Sequence, residues 1–480
     1  MTSTTNSKVK DAGRVAISAQ PDVLVHTGKA DESSAAELRA VLGDTLAQKL
    51  LRWTTKSGLA IIDQGLISGS NFAASILLAR WLTPEQYGAY AVAFGVFILL
   101  SLVYLALLLE PMAVFGGSAY HHCLREYLRV LVKLQVGVAL VVVVPLGLSA
   151  VLAWKLAPAS GLPGALAGVT LASPCLFLFW LARRTYYLQL SPSRAVQGAF
   201  LYFCVVMGGL WMVYRKGALS PFSAFLLIAL GALLTSGLLL LHLRRALPTS
   251  GTVLVAREVW KKHWVYGRWA LATSVASWVP AYIFYPILST FGSTSYSGEL
   301  RALMNFCNPI EQTQIALAIL FLPYAARVQG ANKDRRSAPG LSVRLTLVSI
   351  GATATYWATV ILFREPLFHL LYSGKYENVA PLLRSVAIGS LFWSAAYGSA
   401  IVLRAMESPQ SIFIAYSTAA LVSLLVGIPA ARYFGVAGGV WGINVSDAVS
   451  FVMVLILLRK KVTKPADLPP EACSYAESTP

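Results

Sequence analysis

Arg301, Asn305, Asn308 and Gln312 recur at i, i+4, i+7 and i+11, with Glu311 beside them. On a helix that spacing puts all four side chains on one face. A second stripe, Gln64, Ser68, Asn71 and Ser75, has the same spacing, with Asp63 alongside. Amides and hydroxyls of this kind hydrogen-bond the polar groups of a ligand, and a guanidinium grips phosphate oxygens through paired donors. Both stripes lie inside apolar runs. Lipid does not solvate such a face, so each must look into a protein interior or a water-filled cavity. One Asn or Gln alone is explained by interhelical bonding worth about 0.6 kcal/mol. Several on one face favour a cavity lining.

Three carboxylates, Asp63, Glu311 and Asp447, also fall within apolar runs. A charge there costs at least about 2.5–3.5 kcal/mol, so each is paired with an arginine, protonated, or a coupling site for H+ or Na+. Arg268 and Arg384 join Arg301 as cations near the ends of runs. Each reads either as a topology anchor or as a contact for an anionic head group. The substrate-facing candidates are therefore Gln64, Ser68, Asn71, Arg268, Arg301, Asn305, Asn308, Gln312 and Arg384. The ion-coupling candidates are Asp63, Glu311 and Asp447. No cofactor, metal site or catalytic group is expected. The six histidines are scattered, no CxxC occurs among five cysteines, and HExxH, P-loop and GxSxG motifs are absent.

The elements that must position these residues follow from composition. The 480 residues are 56% hydrophobic and 12% charged, with mean hydropathy +0.64. A soluble chain carries about 25% charge. Repeated apolar runs of membrane-spanning length make this an all-α polytopic membrane protein. Twelve spans are predicted, at 57–80, 87–109, 130–153, 163–182, 195–214, 221–242, 266–290, 300–325, 342–363, 380–403, 410–431 and 437–458. An even count puts both termini on one side. Of 39 basic residues, 30 fall in the tails and the loops on that side and 9 on the other, so both termini are expected in the cytoplasm. That bias also accounts for the net charge of +18 without nucleic acid. The segment 364–379 is expected to hold a brief interfacial helix, Pro366 to Tyr372, stopped at Gly374.

The chain is also duplicated. Ser191-Pro192 before span five matches Ser408-Pro409 before span eleven, Pro111 matches Pro323, and Arg244-Arg245 matches Arg459-Lys460. Two six-helix lobes related by an axis along the membrane normal follow. The domain reading is a cytoplasmic tail at 1–56, lobes at 57–245 and 266–460, a linker at 246–265 and a second tail at 461–480. The first tail holds no apolar core of the kind a signal peptide needs. From Ser34 it carries an amphipathic run, read either as a helix on the membrane surface or as a soluble helix in the tail.

Two segments carry a family resemblance. LLARWLTPEQYGAYAVA (77–93) resembles the first hairpin of bacterial O-antigen and exopolysaccharide flippases, within the multidrug/oligosaccharidyl-lipid/polysaccharide exporter superfamily. LFHLLYSGKYENVAPLLRSVAIGSL (367–391) resembles that family's segment between spans nine and ten. The resemblance runs from about residue 50 to 460 and departs from the family pattern at Glu110. It implies a central cavity, alternating access and transport of a lipid-linked oligosaccharide to the outer leaflet of the bacterial inner membrane. The partners it implies are that substrate, membrane lipids, a polysaccharide polymerase and glycosyltransferases. A cation-coupled multidrug exporter of the same superfamily is the alternative reading. A membrane polymerase or glycosyltransferase would need a sizeable external catalytic loop, and every external loop here is short.

Overall fold

The computed structural model describes residues 58–463, apart from 60, 159, 190, 332–337 and 407–408. The N-terminal tail with its interfacial run, and the C-terminal tail past residue 463, lie outside the described residues. Among the described residues there are helices and no strands. Helix α1 (Ile61–Trp81) leads through Leu82 and Thr83 into α2 (Pro84–Gly117). Thr83 and Gln86 close a reciprocal capping box and Pro84 takes the first helical position, which is why the Thr-Pro-Glu-Gln turn starts a helix. Helices α3 (His121–Leu156), α4 (Leu162–Leu188), α5 (Pro192–Arg215) and α6 (Pro221–Ala246) complete the first half.

The second half holds α7 (Ala256–Tyr282), α8 (Phe284–Phe291), α9 (Thr294–Asn305), α10 (Asn308–Ala331) and α11 (Ala338–Leu362). Then come α12 (Arg364–Tyr372), α13 (Leu383–Ala405) and the long stretch α14 (Gln410–Thr463). The predicted interfacial helix is α12, ended by left-handed Ser373 and Gly374. Stretch α14 turns back at Gly435, whose φ of 57° and ψ of −134° only glycine adopts readily. Among the described residues, nine helices are long and apolar enough to cross a membrane, and the bent pair α7–α8 makes a tenth. With α9–α10 taken as one pass and α14 as two, the twelve predicted passes are present.

Spans seven and eight differ from the sequence reading, which drew each as one unbroken helix. Span seven bends by 42° between α7 and α8. Span eight is interrupted at Phe306 and Cys307. One rule explains both. A proline ring clashes with the carbonyl four residues back and cannot bond to it. Pro286 acts on Tyr282, the last residue of α7, and Pro309 on Asn305, the last residue of α9.

A large buried cluster packs α1–α6 against α8, α9 and α13, with stacked aromatics such as Tyr104 on Phe177 (4.2 Å). A smaller one gathers Leu341, Leu345, Ile401, Leu403 and Val454 within the second half. Leu148, Leu156, Leu362 and Leu425 stand exposed on outer faces, where a bilayer rewards apolar surface.

Candidate functional site

The two polar stripes meet. Ser68 donates to Gln312 Oε1 at 3.0 Å, and Gln64 Nε2 donates to Ser68 at 3.2 Å. Two turns further along α1, Ser75 donates to Asn305 Oδ1 at 2.9 Å. The residue numbers of each pair add to the same value, as two antiparallel helices in register require. Between these pairs Asn71 is exposed and Asn308 half-buried, and neither amide is hydrogen-bonded. Exposed Gln64 and Glu311 complete the open part of the seam.

At one end the seam is shut. Asn305 is 1% exposed and bonds Tyr87 and Tyr372 hydroxyls as well as Ser75, while Ser75 also meets Tyr87 at 2.8 Å. A Cβ on Gly88 would lie 1.8 Å from the Thr294 carbonyl oxygen, and one on Gly298 would lie 2.6 Å from that of Pro84. Helices α2 and α9 therefore touch backbone to backbone, which only glycine allows here. Across the same end Lys375 Nζ donates to the Arg80 and Leu82 carbonyls at 2.8 and 2.7 Å, and Arg80 donates to the Leu370 carbonyl at 3.1 Å. Lys375 caps the C-terminal end of α1, and Arg80 caps that of α12.

Arg301 reaches from α9 into a nest of aromatic rings. Its guanidinium lies 4.9 Å from the Phe94 ring centre, and its charge acts on Tyr87 and Tyr90 of α2, Tyr282 of α7 and Tyr285 of α8. Its Nε is buried and unpartnered. Arg301 is the charge acting on Glu311, and Glu311 the one acting on Asp447. Glu311 is exposed on α10. The site thus offers one fixed guanidinium, unpaired amides, and two carboxylates on α10 and α14.

Four of the expected site residues lie away from the open part of the seam. Asn305 is not an open ligand group; it is closed inside the shut end, because partners from both halves converge on it. Asp63 is fully buried and ion-paired with Arg183 (2.6 Å), with the Tyr187 hydroxyl also donating to it. Apolar surroundings demand such a partner, so Asp63 serves the packing of α1 on α4. Arg268 and Arg384 are exposed and hydrogen-bond to none of the stripe residues; Arg268 lies over the ring of its neighbour Trp269. The tyrosine nest went unread in the sequence. Tyr87, Tyr90 and Phe94 stand at i, i+3 and i+7, and Tyr282 and Tyr285 flank the bend set by Pro286. That periodicity was its available signal.

No protein-family model and no curated protein sequence matches the chain. Solved structures do. An inward-facing multidrug resistance MATE family transporter of the MOP superfamily superposes with a TM-score of 0.68 at 12% identity, over 83% of this chain and 94% of that one. The lipid II flippase MurJ, in an inward closed conformation, gives 0.65 at 13%, over 83% and 87%. The MATE multidrug transporter DinF-BH gives 0.61 at 15%, over 85% and 95%. The chain has the fold these transporters share.

Proposed function

We propose that this protein is a transporter that carries the phosphate or pyrophosphate head of an isoprenoid-linked oligosaccharide across the bacterial inner membrane. Two six-helix lobes, 57–245 and 266–460, rock about the seam, and residues 246–265 join them. Both termini lie in the cytoplasm, so the shut end is periplasmic and the site opens inward. One observation carries the reading: Arg301, with a buried, unpartnered Nε, is set in an aromatic nest on α9, one turn beyond Asn305. A guanidinium stays charged when buried, and its fork matches phosphate oxygens. Asn71, Asn308, Gln64 and Gln312 then hydrogen-bond sugar hydroxyls, while the lipid tail stays in the bilayer. Glu311 and Asp447 are the groups for H+ or Na+ coupling. Glycosyltransferases would supply the substrate and a polymerase would consume it.

A second reading, a cation-coupled multidrug exporter, is favoured by the Glu311 and Asp447 carboxylates, which an organic cation would seek. Proteoliposome assays separate the two. In the first reading Arg301→Ala lowers flipping of a labelled isoprenyl-pyrophosphate saccharide by about ten- to a hundredfold, since one charged contact contributes about 1.5–3 kcal/mol. Arg301→Lys recovers part of it. Wild-type flipping by a well-inserted Arg301→Ala protein would remove the anion reading. Uptake of an organic cation that needs Glu311 and Asp447 but not Arg301 would establish the second.

A further inference from the structure

A cleft of about 790 Å³ lies away from the seam, along the first half of α7. Its wall is one helical stripe, Glu258, Lys262, Val265, Tyr266 and Trp269, with Lys261 beside it. The adjoining flank of α7 holds Val259 and His263, both buried, with His263 bonded to α2 and α3. Phe115 of α2 closes the floor, its ring edge-on to Tyr266 at 5.9 Å. Val265 is 55% exposed and Trp269 68% exposed. Lys262 lies over the Tyr120 ring at 5.4 Å, which holds its ammonium at the rim. The cleft is therefore an apolar trough with two ammoniums at one end. Glu258 subtracts one charge, and exposed Arg268 flanks the trough with another.

We infer that this cleft binds an anionic phospholipid of the leaflet on the side of the termini. The lipid phosphate lies between Lys261 and Lys262, and an acyl chain runs over Val265, Tyr266, Trp269 and Phe115. Charge complementarity selects the occupant: a zwitterionic head would bring its own cation against the lysines, and a soluble phosphate would leave the apolar floor empty. Bound there, the lipid braces α7 against α2, the joint on which the two halves meet outside the seam. This inference stands whether or not the transported substrate is the one proposed above.

The test is native mass spectrometry of the full chain in detergent, titrated with phosphatidylglycerol and with phosphatidylcholine. Wild type retains phosphatidylglycerol preferentially. Each lysine contributes about fivefold, so Lys261→Gln with Lys262→Gln lowers that affinity about twentyfold and leaves phosphatidylcholine unchanged. Glu258→Gln raises it a few-fold, and this gain decides the matter alone if the lysine pair variant misfolds. Arg459→Gln with Lys460→Gln, remote in sequence and equally basic, leaves it unchanged; an equal loss there means diffuse charge attraction and overturns the site. Displacement by inorganic pyrophosphate, or tighter lysine-dependent binding of an isoprenyl pyrophosphate, overturns the phospholipid assignment.

Discussion

The hairpin α1–α2 and the hairpin α7–α10 occupy equivalent places in the two halves, and both contain proline-freed carbonyls. They treat them differently. In α2, Pro111 leaves the Leu107 carbonyl without its helical donor, and the turn widens at Leu105–Leu109. His263 Nδ1 then takes that carbonyl at 2.9 Å while Tyr127 holds its Nε2 at 2.7 Å. The helix continues. In the second hairpin Pro286 and Pro309 end their helices outright, and the gaps aim Tyr282 and Tyr285 at Arg301 and put Glu311 in the next turn. A compensated proline leaves a rigid span; an uncompensated one leaves a place where side chains can turn inward. The second hairpin therefore supplies Arg301 and Glu311, and the first supplies the surface it closes on.

The shared closing surface is the most sensitive point of that arrangement. Gly88→Val places a side chain where even a Cβ would overlap the Thr294 carbonyl. The shut end cannot form, and transport falls at least about a hundredfold, the equivalent of about 2.7 kcal/mol. Accessibility of a cysteine at position 294 to a membrane-impermeant reagent should rise in parallel. Unchanged accessibility would mean that α2 and α9 do not form the gate.

His263→Ala tests the compensation in the first hairpin. It strands a buried carbonyl and a buried tyrosine hydroxyl, costing about 1–3 kcal/mol. The expected result is a lower thermal midpoint in detergent, with substrate affinity unchanged. A change in affinity without loss of stability would move His263 from the scaffold to the site.

Exchanging the prolines sharpens the contrast. Pro309→Ala restores a backbone donor and favours one continuous helix through Cys307, and transport should drop about tenfold with no loss of stability, since alanine is the better helix former by about 3 kcal/mol. Pro111→Ala offers Leu107 a donor it no longer lacks, so transport should change less than about threefold, within one hydrogen bond's net worth. Equal effects in the two hairpins would erase the distinction between them.

Much of this was legible. Twelve passes and the helix before Gly374 follow from hydropathy and glycine. So do the facing stripes, because polar side chains at helical spacing in an apolar run have few places to go. The sequence reading failed where the answer depends on what lies across a gap. Asn305 and Asn308 differ by one turn, yet one is sealed by tyrosines from both halves and the other is open. Asp63 and Glu311 look alike in sequence, and only the position of Arg183 on α4 separates the paired acid from the free one. The helix breaks were written in Pro286 and Pro309, but hydropathy averages over them.

The smallest expected effect concerns the clasp at the shut end, where the two halves again contribute unlike members. Arg80 belongs to the first hairpin and donates to the Leu370 carbonyl. Lys375 belongs to the second half, outside the spans, and burial pushes its ammonium below the ordinary lysine value. In the shut form the group therefore binds fewer protons than it does in water. By linkage the shut form gains as pH rises from the lowered pKa and stops gaining near the free value of about 10.4. The neutral amine keeps two N–H donors, enough for the Arg80 and Leu82 carbonyls, so the contact survives the loss of charge. Spin labels at positions 216 and 365, on exposed sites of the two halves, should report a modest rise in the short-distance population over that range. Lys375→Met should flatten the response, whereas Arg80→Met should lower the short-distance population at every pH and keep the slope. The same slope in Lys375→Met would assign the titration to another group and leave the clasp without a pH-sensitive member.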